Sequence, residues 1–281
     1  MTDAVGYADS NTLYLDSFVF SKLAADPQFK NAATQWILDQ RFTLVFSVIN
    51  LIELYPHSKR RDAILDFICS VPFSIACNIE LLIDEEVRLY PRAAKLPIVF
   101  SSRDSKSNAT QLRYALAQNL EERISSFKPA FDKAKRSTFD TILKKRDSGE
   151  VSFTKPDEIH LFLMSSVLAM LNLDYGEFLK REKSAGRAIE TSLFRVYNLQ
   201  ALAIYTEFYK QNKKGKESDI PDFMQLGFVP YLGLSVLDNE RVDMLNRISR
   251  MNLVDIQFKY FNLAEFRSLC YETSKMDSHL N

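Results

Sequence analysis

The chain has 281 residues, of which 46% are hydrophobic and 26% charged, a balance ordinary for a globular protein. Its 36 basic and 36 acidic residues cancel, which excludes the strongly basic class of nucleic-acid-binding proteins. Only 7 glycines and 9 prolines are present, which excludes long flexible linkers and turn-rich β architectures and favours helices.

The first ninety residues alternate between strand and helix patterns. Residues 12–15 and 42–46 are runs of β-forming residues that predict buried strands, and residues 73–76 predict a third. Each run is followed by apolar residues at helical spacing. This alternation predicts a parallel sheet covered by helices, which is an α/β fold. Such sheets bind ligands at the carboxyl ends of their strands.

Residues 92–214 have a different character. Leucine or isoleucine recurs every four residues over residues 112–124, with charged residues between, which predicts a long amphipathic helix. The patterns that follow are also helical. We therefore expect an α/β core made of residues 1–91 and 215–281, interrupted by a large all-helical insertion at residues 92–214.

The alternating pattern returns near the end of the chain. It predicts, in order, a helix, a strand, an amphipathic helix, an edge strand and a last helix, at residues 219–228, 231–237, 239–251, 254–258 and 264–271.

Five acidic residues are placed where these strands and helices begin or end. Asp16 directly follows the first predicted strand, and Asp238 directly follows the late one. Glu53 lies in the helix after the second strand, and Asp219 and Asp222 open the helix before the late strand. Because carboxyl ends of adjacent parallel strands meet at one edge of a sheet, we expect these carboxylates to come together.

Carboxylates that meet repel one another, and their pKa values rise unless a cation neutralises them. A set of oxygen ligands without His or Cys suits Mg²⁺ or Mn²⁺. The three histidines, His57, His160 and His279, lack the spacing of zinc ligands. Bound divalent ions can activate a water for attack on phosphorus and stabilise the leaving oxygen. The pattern therefore predicts metal-dependent phosphodiester hydrolysis.

Three segments resemble the motifs of PIN domains. Residues 14–21 (YLDSFVFS) are similar to their opening, a strand that ends in Asp before a small residue and a hydrophobic helix. Residues 47–54 (SVINLIEL) are similar to their second motif, in which a glutamate lies six residues after a helix-opening Ser or Thr. Residues 222–238 (DFMQLGFVPYLGLSVLD) resemble their carboxy-terminal segment, an Asp-led helix that runs through Pro-Tyr into a strand ending in Asp.

The resemblance implies a PIN-like core that cleaves nucleic acid endonucleolytically, RNA in preference to DNA. It implies metal-ligand and catalytic roles for Asp16, Glu53, Asp222 and Asp238, with Asp219 replacing or assisting Asp222. A cellular nuclease has to be restrained, so we also expect an inhibitor or regulatory protein, self-association of the chain, and a role in stress response or antiviral defence.

The sequence departs from the PIN pattern at three positions. Phe18 stands where many members have Asn, Leu237 where many have Thr or Ser, and Gln225 where His or Ala is frequent. None of these changes removes an acidic residue.

Each acid also has an ordinary structural interpretation. Asp16 and Asp238 each precede a predicted helix and would serve as helix caps. Glu53 has apolar neighbours, where a carboxylate is costly unless it is paired or metal-bound. Three other functions stay open: a structure-specific DNA nuclease with the same site, a catalytically idle PIN-like scaffold that binds RNA or protein, and an unrelated helical interaction protein.

Three lysines, Lys213, Lys214 and Lys216, precede Asp219 in a charged loop. We expect them to contact substrate phosphates, the alternative being a solvated loop.

The expected location is the cytoplasm. The cysteines, Cys69, Cys77 and Cys270, form no CxxC pair and cannot all pair with one another, which favours a reducing compartment. The N-terminus lacks the basic and apolar regions of a signal peptide. The longest apolar run, near residues 161–173, is shorter than the roughly 18 residues that a bilayer span needs. We therefore expect no membrane association.

Overall fold

The structure is a computed structural model, and it describes most of the chain outside the segment between the long central helix and residue 193. The described residues are 6–8, 10–54, 58–90, 92–102, 106–149, 158, 193–210, 216–251 and 258–277.

The strands are short, and seven are found in the described part of the chain. They are β1 (Gly6–Tyr7), β2 (Thr12–Leu15), β3 (Thr43–Phe46), β4 (Phe73–Ala76), β5 (Pro97–Ser101), β6 (Leu234–Leu237) and β7 (Lys259–Asn262).

Helices connect these strands. They are α1 (Ser17–Ala25), α2 (Pro27–Asp39), α3 (Val48–Leu54), α4 (Ser58–Ser70), α5 (Ile79–Leu89), α6 (Lys106–Asp147), α7 (Arg195–Ile204), α8 (Asp219–Leu226), α9 (Asn239–Ser249) and α10 (Leu263–Asp277). A π-helical segment (Tyr205–Lys210) continues α7, and a 3₁₀ turn (Val229–Tyr231) follows α8.

The sheet is mostly parallel, as the sequence predicts. Its strand order is β1-β5-β4-β3-β2-β6-β7; neighbours from β4 to β7 run parallel, while β5 and β1 are antiparallel additions at one edge. The chain moves outward from β2 through β3 to β4, and it returns to the other side of β2 for β6 and β7. The order therefore reverses between β2 and β6, which creates a switch point where α/β proteins bind ligands.

Helix starts follow local signals in the sequence. Asp26 accepts a hydrogen bond from the Phe29 N–H (3.0 Å) and precedes Pro27 in the first turn of α2. Asn78 accepts one from the Leu81 N–H (3.1 Å) at the start of α5. Both side chains satisfy amides that the helix itself leaves unpaired, and the proline is favoured at this position.

Alternate strand residues face two separate hydrophobic cores. Leu13 and Leu15 point into one core, with side chains from α1, α2, α4 and α10. Tyr14 points into the other, with side chains from α5, α7, α8 and α9. Burial on both faces explains why the central strands read as continuous apolar runs. Helix α6 touches both cores, because Phe131 packs against the first and Phe139 against the second.

The interpretation of residues 92–214 as entirely helical is wrong at its beginning. Strand β5 lies inside this range and pairs antiparallel with β4, with Phe100 opposite Ile75. A short apolar run carries no period that separates strand from helix, so pairing with β4 decides its structure. Helix α6 confirms the predicted long helix.

Helix α7 is also part of the sheet domain. Its side chains Val196, Leu199 and Leu202 are fully buried in the second core. Most of the remaining predicted insertion, residues 150–192, lies outside the described residues, except for Glu158. Most of the predicted edge strand at residues 254–258 lies outside the described part, which omits residues 252–257; strand β7 is formed by Lys259–Asn262.

The helices that the structure describes do not combine the length and apolar character needed to cross a bilayer.

Candidate active site

Two acids stand at the carboxyl ends of neighbouring parallel strands. Asp16 follows β2 and Asp238 follows β6, with Leu15 in register with Val236. The Asp16 N–H donates to the Val236 carbonyl (3.0 Å), so pairing of the two strands continues to the first acid. The switch point therefore lies between these two carboxylates, as the order of the strands requires.

Arg241 binds two of the predicted acids. Its guanidinium donates to Oδ2 of Asp238 (2.5 Å) and to Oδ2 of Asp222. The other oxygen of Asp238 accepts the backbone N–H of Arg241 (2.8 Å) and caps α9. The capping role of Asp238 is thus confirmed, and the same carboxylate also pairs with the guanidinium of Arg241. Burial, followed by the charges of Asp16 and Glu240, raises the pKa of Asp238 to about 6, while the backbone N–H groups of Arg241 and Glu240 act in the opposite direction.

Asp16 is the N-cap residue of helix α1, but its side chain makes no capping hydrogen bond and is only 8% exposed. Burial raises its pKa above the ordinary value, while the charge of Arg241 and the backbone amides of Phe18, Ser17 and Asp238 act in the opposite direction. A buried carboxylate is costly, and nearby positive charge and backbone amides reduce that cost.

Glu53 reaches the same place from helix α3. Its Oε2 accepts hydrogen bonds from the Ser17 hydroxyl and from Nε2 of Gln225 (2.7 Å). Burial is the main cause of its raised pKa; the charge of Asp16 adds to the rise and that of Arg241 opposes it. The carboxylate is therefore within electrostatic range of both.

A buried amide network orients this glutamate. Asn50 is fully buried, and its Nδ2 lies within hydrogen-bonding distance of the Ser17 hydroxyl (3.0 Å), Tyr14 hydroxyl (3.2 Å) and Gln225 Oε1 (3.2 Å). Its Oδ1 accepts the Ser47 N–H (2.9 Å), and the Tyr14 hydroxyl donates to Gln225. Buried polar groups joined in this way hold their neighbours in fixed positions. Tyr14 therefore belongs to the core.

Two of the acids, Asp16 and Asp222, line a very small cavity beside a larger cleft. The cavity has a volume of about 10 Å³, and its polar lining residues are Tyr14, Asp16, Asp222, Gln225 and Arg241. The cleft has a volume of about 270 Å³ and is lined by Glu207, Asp219, Phe223, Glu240, Arg241, Asp243, Met244 and Arg247. Arg241 lines both spaces.

The structure brings four of the five predicted acids together and places one elsewhere. Asp16, Glu53, Asp222 and Asp238 all contact or electrostatically influence the same group of side chains. Asp219 instead lines the adjoining cleft, where its Oδ2 accepts the Lys216 N–H (2.8 Å).

Of the predicted phosphate-binding lysines, Lys216 is exposed just before α8. Lys213 and Lys214 lie outside the described residues.

Sequence reasoning missed Arg241 as a site residue. The available signal is its position three residues after Asp238, which is one helical turn into the helix that Asp238 opens. Asn50 was also missed; its signal is a polar residue inside the apolar run of α3. Gln225 stands out in sequence as a departure from the PIN pattern, and the structure gives it a role as a hydrogen-bond partner of Glu53.

Within the part of the chain that the structure describes, no group of three or more His, Cys, Asp or Glu side chains is arranged to hold a metal ion. The carboxylates are turned toward Arg241, Ser17 and Gln225. All donors are hard oxygen atoms, and the guanidinium occupies a cationic position between two of them. The residues therefore fit a cation of the Mg²⁺ or Mn²⁺ type in their chemistry.

Comparison with known proteins gives no relative. No protein-family model matches the chain, and no curated protein or solved structure matches it significantly.

Proposed function

We propose that the chain is a metal-dependent endonuclease that hydrolyses phosphodiester bonds, RNA in preference to DNA. The observation that carries this proposal is the convergence of Asp16, Glu53, Asp222 and Asp238 around one cation at the switch point of a parallel sheet. These acids come from four separate elements, and of the two that stand at N-cap positions, Asp16 and Asp238, only Asp238 makes a side-chain capping hydrogen bond. The order and setting of the acids also agree with the PIN-like motifs in the sequence.

The four carboxylates would hold Mg²⁺ or Mn²⁺. When bound, such an ion supplies an activated water and stabilises charge that develops on the phosphate oxygens. The chain's own part is positional: Ser17 and Gln225 fix one oxygen of Glu53, and burial keeps bulk water away from Asp16. The exposed Lys216 is available for contact with substrate phosphate. We expect a cytoplasmic role in stress response or antiviral defence, under the control of a regulatory protein.

The proposal is tested by cleavage of labelled single-stranded RNA and single-stranded DNA with Mn²⁺, Mg²⁺ or EDTA. We expect metal-dependent cleavage, stronger on RNA, that falls by on the order of a hundredfold or more in Asp16→Asn. Asp39→Asn, which changes an exposed acid on α2, is the matched control and should cleave like the wild type. Cleavage that persists in EDTA or in Asp16→Asn would remove these acids from the chemistry.

A second candidate is a catalytically idle PIN-like scaffold that binds RNA or protein. The observation that favours it is the guanidinium of Arg241, which already neutralises Asp222 and Asp238. In a scaffold this pairing would be permanent. Absence of cleavage, together with a melting temperature that Mn²⁺ does not raise, would favour the scaffold. A metal-induced rise without cleavage would instead keep the site and point to a missing substrate or activator.

A further inference from the structure

Arg241 lies on the boundary between the small acidic cavity and the larger cleft. On the cavity side its guanidinium binds Asp222 and Asp238, and its charge acts on Asp16 and Glu53. On the other side it lines the cleft of about 270 Å³. One side chain thus places a positive charge beside the acids and also borders the cleft.

A guanidinium and a divalent ion compete for the same oxygens. Arg241 donates to one oxygen of Asp222 and, at 2.5 Å, to one oxygen of Asp238. Both oxygens are therefore already occupied by a donor. An ion bound between these carboxylates would also lie next to a fixed positive charge, and like charges at such distances repel strongly where the surroundings are partly buried. An ion that binds through these two oxygens therefore requires the guanidinium to leave.

The adjoining cleft offers the guanidinium an alternative position. Among the residues that the structure describes, four acids line it, Glu207, Asp219, Glu240 and Asp243, and one base besides Arg241, Arg247. Rotation about side-chain bonds would carry the guanidinium between the two spaces while the Arg241 backbone stays hydrogen-bonded to Asp238 Oδ1 (2.8 Å). The displaced cation would keep acidic neighbours, so its movement does not leave a charge unpaired.

We propose that Arg241 is an intramolecular latch that occupies the cation position of the acid site and must swing into the adjoining cleft before a divalent ion binds. This inference rests on the proposed function, and it adds a regulatory step to the same site. The apparent metal affinity is the affinity of the open site multiplied by the fraction of molecules in which the site is open, so the latched state lowers it. If one molecule in about ten is open, removal of the latch strengthens binding about tenfold, which corresponds to about 1.4 kcal/mol.

The test is Mn²⁺ binding to the full chain, measured by calorimetry for the wild type and Arg241→Gln. The matched control is Arg250→Gln, which removes the same charge from an exposed position at the end of the same helix, away from the residues that line the cleft. We expect Arg241→Gln to bind Mn²⁺ at least about tenfold more tightly than the wild type, and Arg250→Gln to bind like the wild type.

The outcomes separate the latch from the metal site. Equal affinity of the wild type and Arg241→Gln would overturn the latch and leave the metal site intact. Equal gains in Arg241→Gln and Arg250→Gln would also overturn it, because general charge would then explain the effect. If neither the wild type nor folded Arg241→Gln binds Mn²⁺, the metal site fails and the latch fails with it.

A measurement on the wild type covers the case in which Arg241→Gln does not fold. The side-chain Nε–H signal of Arg241, assigned through bonds by NMR, is expected to shift and exchange faster with water when Mg²⁺ saturates the protein. A signal unchanged at a Mg²⁺ concentration that moves the backbone signals of Asp16 and Asp238 would overturn the latch.

Discussion

Glu86 is a buried acid that the proposed chemistry does not use. It is 2% exposed, and its Oε1 accepts the Val196 N–H (2.9 Å) and the Tyr231 hydroxyl, while Oε2 has no partner among the described residues. Burial raises its pKa to about 7, against the opposing hydrogen bonds of Tyr231, Val196 and Arg195 and the charge of Arg195. It joins α5 to the start of α7, so its ionisation affects the packing of two elements.

Glu86→Gln is expected to remove a pH dependence of stability. Because the folded pKa of about 7 exceeds the ordinary 4.5, the folded state binds the proton more tightly than the unfolded state. The contribution of Glu86 to the unfolding free energy is therefore fully present below about pH 4.5. It is lost as pH rises toward 7, and the loss is on the order of 3 kcal/mol. Urea unfolding from pH 4.5 to 8 should show this loss in the wild type relative to the variant.

The control for this experiment is Glu80→Gln, which changes an exposed acid on the same helix. Its unfolding free energy should follow that of the wild type across the pH range. Parallel curves for the wild type and Glu86→Gln would show that Glu86 is not the titrating group.

At the scale of the elements, the pairing of β2 with β6 sets the distance between the site acids. Gly233 precedes β6, and a Cβ at this position would lie 2.6 Å from the Ser10 carbonyl oxygen. Its N–H donates to the Thr12 hydroxyl (3.0 Å), which anchors the start of one strand to the other. Glycine is therefore required here by the close approach of two backbones.

Gly233→Ala is expected to lower the unfolding free energy by about 1–3 kcal/mol, because the clash is with backbone and not with a flexible side chain. It should also weaken Mn²⁺ binding, since the shift moves Asp238 relative to Asp16. The control is Gly6→Ala in β1, where an added Cβ meets nothing within 4 Å. Chemical denaturation and calorimetry measure the two effects, and equal stability of both variants would contradict the argument.

At the scale of the whole molecule, the two ends of the described chain share a core. Phe266 on α10 is fully buried and packs edge-on against Phe29 and Trp36 of α2, with ring centroids 6.0 Å and 5.4 Å apart. Helix α10 thus covers the same face of the sheet as the first helices. The candidate site lies at the carboxyl ends of β2 and β6. The core that α10 covers stabilises these same strands. Loss of α10 packing is therefore expected to destabilise the entire domain.

Phe266→Ala is expected to cost about 3–5 kcal/mol of unfolding free energy, through lost burial and the cavity left behind. The transition should remain single, because both cores share the same strands. Phe127→Ala, which removes a 60% exposed ring from α6, should change stability little. A separate early transition of α10 in Phe266→Ala, detected by hydrogen exchange, would show that this helix is not part of the cooperative unit.

The sequence by itself determined the parallel core strands and the strand-end positions of two acids. Strand and helix periods are local properties, and an acid that ends a strand stays at the strand end in any parallel arrangement. Asp16 after β2 and Asp238 after β6 were therefore placed correctly without a structure. Strand β5 was not, because a short apolar run becomes a strand only when an open edge such as that of β4 pairs with it.

Only the tertiary structure decided what the acids contact. Asp222 meets Arg241 because helices α8 and α9 pack against the same core, and Asn50 meets Gln225 because α3 and α8 approach across the site. Asp219 lies one helical turn before Asp222, and the packing of α8 places it in the adjoining cleft. Charge pairing and hydrogen bonding depend on distances through space, which packing fixes and local sequence spacing does not.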